Sequence, residues 1–121
     1  AQVLDFDPGA KLFSDRGYAL AECPETLKGA RFLQVPIDGD KSVTCSRAGI
    51  VHVATPLPNR NPGGSQSAQL ENQGFEKVAL PEFNLFEHRA YPANLCSPYQ
   101  KECAAGEVVE IGKWAVPLFF P

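Results

Sequence analysis

Eleven prolines and ten glycines are spread through 121 residues, and this punctuation constrains the fold more than any other feature. Few uninterrupted windows remain for an amphipathic helix of ten or more residues, whereas short strands joined by turns fit the intervals. Residues 31–37 alternate, with Phe32, Gln34 and Pro36 on one face and Leu33, Val35 and Ile37 on the other. The run Asp38-Gly39-Asp40-Lys41 follows, and then 42–45. Asp-Gly accepts the positive φ angles of a tight turn, so this pattern predicts a hairpin. Pro36 has no N–H for a ladder, which predicts an edge position for the first of these strands. Residues 50–54 predict a third strand, and 75–80 and 83–86 two more. Val108 to Ile111, the turn Gly112-Lys113 and Trp114 to Val116 read as a type II′ hairpin. The apolar tail 117–120 is expected to dock rather than fray. The expectation is an all-β chain, or mostly β with one short helix. It is a single domain over 1–121, built as a compact barrel or sandwich of about six to eight strands.

Between Thr55 and Gln73 the character changes to Pro, Asn, Gly, Ser and Gln. Residues 65–72 can form a short helix closed by Gly74, although Ala68 and Leu70 give it little apolar surface to anchor. Loops longer than about 15 residues are uncommon in compact domains unless they carry function. Pro58, Asn59, Arg60, Asn61, Gln66 and Gln69 are therefore candidate binding residues, and a surface insertion without a role is the plainer reading.

Cys23, Cys45, Cys96 and Cys103 form an even set in a short chain that begins Ala1-Gln2, a start resembling a mature end left by signal-peptide cleavage. Two disulfides and secretion to an extracellular setting follow as expectations. Four cysteines allow three pairings. The shortest loops come from Cys23 with Cys45 and Cys96 with Cys103, each bridge worth roughly 3 kcal/mol on the chain-entropy model. Reduced core thiols are the alternative. The C-x2-C spacings of structural zinc are absent from the sequence, so no metal and no cofactor are expected. A net charge of -3 with scattered Lys and Arg argues against nucleic acid as partner. The longest apolar run, 114–120, is interrupted by Pro117, far short of the roughly 20 residues of a membrane span. A monomer is expected.

His52 and His88 are the two histidines, so histidine-dependent catalysis must use one of them. Period two in 50–54 sends Val51 and Val53 to one face and His52 to the other. Glu82, Asn84, Glu87, His88 and Arg89 form the densest polar group, in which a carboxylate, an imidazole and a guanidinium suit acid–base chemistry. If the segment stays extended, however, Glu82 and His88 lie about 20 Å apart. The catalytic candidates are Glu82, His88, Arg89 and His52, and the plainer reading is a solvated strand end.

In size, cysteine count and strand-rich patterning the whole chain resembles the small, secreted, two-disulfide effector and elicitor proteins of plant-associated fungi. That resemblance implies a compact β fold, export, and recognition by plant immunity through a host protein or cell-surface component. A partial resemblance to the fungal guanyl-specific ribonucleases lies in Asn72-Gln73-Gly74-Phe75-Glu76 and Pro81-Glu82-Phe83, where Glu82 matches a catalytic position. That family also needs an Arg and then a His on later strands, and neither follows Arg89. The functional expectation is a secreted, non-enzymatic interaction protein. A small secreted hydrolase or ribonuclease-like enzyme is the alternative, and a protease inhibitor presenting the proline-rich loop is a third.

Overall fold

Two long strands, β4 (Gly49–Pro56) and β7 (Leu95–Cys103), pair antiparallel along the whole of β4, from Gly49 opposite Cys103 to Pro56 opposite Cys96. They form the spine of the computed structural model, which describes residues 2–38, 41–79, 82–86 and 94–121. Around the spine, β1 (Gln2–Asp5), β2 (Arg31–Gln34) and β9 (Val116–Phe119) extend the sheet on the β4 side. On the other side, β5 (Glu76–Lys77) and β6 (Phe83–Asn84) pair with successive parts of β7. A second sheet of two strands, β3 (Ser42–Thr44) and β8 (Val108–Glu110), packs over one face. The result is mostly β and sandwich-like rather than a closed barrel, with nine strands among the described residues.

The large sheet is buried on both faces, and strand alternation explains how. Paired residues of antiparallel strands share a face. Leu4, Phe32 and Leu118 thus fall in one row and face a core with Phe6, Phe13, Leu85 and Phe86. Leu33, Val53 and Tyr99, one position away on their strands, face a second core with Leu70, Val109 and Ile111 beneath the small sheet. Edge-to-face contacts, Phe6 on Phe32 at 6.0 Å and Phe13 on Phe86 at 5.9 Å, order the first core. The helix α1 (Ser67–Asn72) is short, yet Leu70 is completely buried and fastens it to the second core.

Both hairpins expected from the sequence are replaced by longer-range pairings. The chain leaves β2 and enters the other sheet, so 42–45 pairs with β8 instead of 31–37. Gly39 and Asp40 of the expected turn lie outside the described residues. Similarly, β8 and β9 belong to different sheets. The connection between them crosses from one sheet to the other, Ile111 N donating to Lys41 O and Trp114 N to Ile37 O. Gly112 adopts φ +68, a left-handed conformation that glycine enters without the cost a side chain would bring. Trp114 at φ +63 takes the same left-handed region without that freedom. Nor is β2 an edge strand: it lies between β1 and β9, and Pro36 falls beyond its end. The docking tail is the interior strand β9, with Leu118 fully buried. Within β7, Pro98 O accepts from Val78 N just past the end of β5, so its missing donor faces the side where pairing stops.

Candidate functional site

Where the small sheet covers the large one, the cover is incomplete. Strand β3 and the turn after it stand off from β2, β4 and β9, leaving an open cleft of about 450 Å³. Its floor is made by Leu33, Val51 and Phe119, and Val43 and Cys45 form the opposite wall. Leu33, Val43, Val51 and Phe119 are each only half-buried. The alternation that commits these side chains to the second core also leaves part of each facing the gap. Exposed Arg47 stands in the 45–49 turn at the rim and has no ion pair among the described residues. Apolar walls, one charged group and a volume of several hundred Å³ are the ordinary attributes of a small-molecule site.

The residues expected to be functional are distributed elsewhere. Glu82 is ion-paired with Arg60 at 3.1 Å, which joins a catalytic candidate to a binding candidate on one surface. Glu82 also borders a smaller hollow of about 330 Å³ with Glu22, Cys23 and Glu25. His52 lies in β4 opposite Gln100 and Leu118, and its ring meets the edge of Phe120 at 5.8 Å. Burial lowers its pKa, a hydrogen bond to Gln100 opposes that shift, and its Nδ1 is buried without a partner among the described residues. A ring held neutral in this way is a structural element of the sheet face at neutral pH. Glu82 precedes Phe83, which pairs with Cys96, whereas His52 pairs with Gln100. Continued by one position, that register sets Glu82 level with Ser97, three residues of β7 or about 10 Å along the strand from the His52 row. His88 and Arg89 lie outside the described residues.

In the loop after β4, Pro58, Asn59 and Arg60 are exposed, whereas its other polar groups build the loop itself. Asn61 Oδ1 accepts from Gly64 N at 3.0 Å, Gln66 N donates to buried Thr55 Oγ1 at 2.9 Å, and Gln69 O accepts from Gln73 Nε2. Gln73 continues as a clamp on β8. Its amide donates to Glu110 O and accepts from Glu110 N, both at 2.8 Å, reproducing a backbone pair on that strand's open edge.

The expected cysteine pairing conflicts with strand geometry. Cys96 and Cys103 lie seven positions apart on one continuous strand, on opposite faces. That is about 23 Å, against a Cα separation of at most about 7 Å in a disulfide. Cys23 and Cys45 are likewise divided, Cys23 packing against the first core and Cys45 belonging to the second. All four thiols are free in this structure.

The cleft escaped the sequence reading because it is assembled from four separated strands, although the half-apolar stretches 31–35 and 49–53 supply Leu33 and Val51 of its floor. Comparison with known proteins finds no matching family model, no matching curated protein and no matching solved structure.

Proposed function

We propose that the chain is a non-enzymatic binding protein that acts outside the cell, in the manner of the fungal effectors and elicitors it resembles. Its cleft receives an amphipathic molecule with an apolar body and an anionic head. The observation that carries this reading is the set of half-buried apolar side chains, Leu33, Val43, Val51 and Phe119, turned toward one open cleft with Arg47 at its rim. Apolar surface of the ligand would replace water on those four side chains, contributing about 25 cal/mol for each Å² covered. The guanidinium supplies orientation, because it is always charged and pairs with a carboxylate in two parallel hydrogen bonds. The Arg60–Glu82 ion pair favours binding over hydrolysis, since it engages the carboxylate that acid–base chemistry would need free.

A fluorescent fatty acid titrated into the protein tests the reading. Saturable one-to-one binding is expected, weakened by Arg47→Ala and more strongly by Val51→Asp, which sets a carboxylate on the cleft floor. Equal affinity in all three proteins would refute the cleft as the site.

A further inference from the structure

We infer that Cys45 and Cys103 form a disulfide that ties the small sheet to the large one, the pairing that sequence spacing disfavours. Three features of the backbone bring the two residues together. The chain around Cys45 pairs with the turn after β7: Cys45 N donates to Glu107 O at 2.9 Å and Cys45 O accepts from Gly106 N at 2.7 Å. That turn begins immediately after Cys103 and is closed by Glu107 N donating to Ala104 O. Gly49, four residues beyond Cys45, pairs directly with Cys103 across β4 and β7. Both side chains are buried in the same core, and Cys103 Sγ donates to Lys101 O at 3.8 Å. Burial, and then the neighbouring Cys45 thiol, push the Cys103 thiol up to about 11. It is therefore a weak first nucleophile.

The order of events follows from access. Cys45 lines the open cleft, whereas Cys103 does not line it and is buried. The oxidant is a low-molecular-weight disulfide such as oxidised glutathione. Cys45 thiolate attacks one of its sulfurs, forming a mixed disulfide and expelling one thiolate, which takes up the proton Cys45 lost. Cys103, deprotonated in turn, attacks Cys45 Sγ and expels the second thiolate. The protein loses two hydrogens and two electrons, and the small disulfide becomes two thiols.

The remaining cysteines fit the same division. Cys23 and Cys96 pack into the first core, on the far face of the large sheet, so neither reaches Cys45 or Cys103. Trypsin separates all four, because Cys23, Cys45, Cys96 and Cys103 fall in fragments 17–28, 42–47, 90–101 and 102–113. The test is incubation of the full chain with oxidised glutathione, followed by alkylation, digestion without reductant and mass spectrometry. The expected product is 42–47 joined to 102–113, lost on reduction and absent from Cys45→Ser. A bridge from 90–101 to 102–113, one from 17–28 to 42–47, or alkylated Cys45 and Cys103 after prolonged oxidation would each overturn the inference. Circular dichroism of Cys45→Ser establishes that the missing product reflects the thiol rather than an unfolded chain.

Discussion

Leu118 and Phe119 are consecutive in β9 but serve opposite faces of the large sheet, so replacing each with alanine tests the account at single-residue resolution. Leu118 is fully buried between the row partners Phe32 and His52. Truncating a leucine so enclosed removes its transfer energy and leaves a cavity, about 3 kcal/mol within a measured range of roughly 2 to 5. For 121 residues, an unfolding entropy of about 2.1 cal/mol/K per residue gives about 0.25 kcal/mol/K, so Leu118→Ala should melt about 12 °C lower. Phe119 is half-buried, with the rest of its ring facing the cleft. Its truncation should cost about 1 to 2 kcal/mol, a shift of about 4 to 8 °C. The order reverses for binding. If a ligand covers about 55 Å² of that ring, Phe119→Ala loses about 1.4 kcal/mol, a tenfold weakening, while Leu118→Ala binds almost as wild type. Thermal melts by circular dichroism and a fluorescent fatty-acid titration on the same samples read both effects. Equal melting losses, or a greater binding loss in Leu118→Ala, would refute the assignment of faces in β9.

Gln73→Ala removes both amide bonds to Glu110 and should cost about 1 to 2 kcal/mol, with faster hydrogen exchange at the Glu110 amide. Unchanged exchange there would dismiss the clamp. Lys41 Nζ donates to Pro36 O and Ile37 O and lies 5.8 Å from the centre of the Phe13 ring. Burial lowers its pKa from 10.5 to about 8, against the opposing pull of Asp15 and Asp38. At this site the unfolded chain therefore holds more protons than the folded one between these values, and the contribution of Lys41 to stability should rise with pH across about 8 to 10.5. After allowance for the solvent that reaches this half-buried amine, the gain is about 1 kcal/mol. Because the raised Cys103 thiol lowers the stability of both proteins over the same range, urea melts at pH 7.5 and 10 should show the wild type faring better by about 1 kcal/mol than Lys41→Met, and identical pH responses in the two proteins would contradict it.

Local chemistry made the class of fold legible, but the sheet topology was set by distant contacts. Alternation at 31–34 and 50–54 identified β2 and β4, and Gly74 at φ +94 ends the segment that follows the short helix. The two hairpins failed for a shared reason. Asp-Gly and Gly-Lys are good turns in isolation, but each lies where the chain changes sheets, and burial of Val109 and Ile111 against Cys45 and Val53 outweighs local pairing. The sequence reading placed no strand at 95–103, and Pro98 is accommodated inside β7 because its missing donor faces the side where β5 ends. The cysteines show the same limit. Loop length favours neighbours in sequence, whereas the strand places Cys96 and Cys103 on opposite faces. Of the candidate residues, Arg60 and Glu82 meet each other and His52 lies elsewhere. The cleft had no sequence motif because its lining comes from β2, β3, β4 and β9 together.

The most direct test of the cleft is amide and methyl chemical-shift mapping of isotope-labelled protein during titration with a medium-chain fatty acid below its micelle concentration. The account predicts saturable shifts centred on Leu33, Val43, Arg47, Val51 and Phe119, with little change at Pro58 to Gln69. Shifts that never saturate, or that centre on the Pro58 to Gln69 surface, would contradict it.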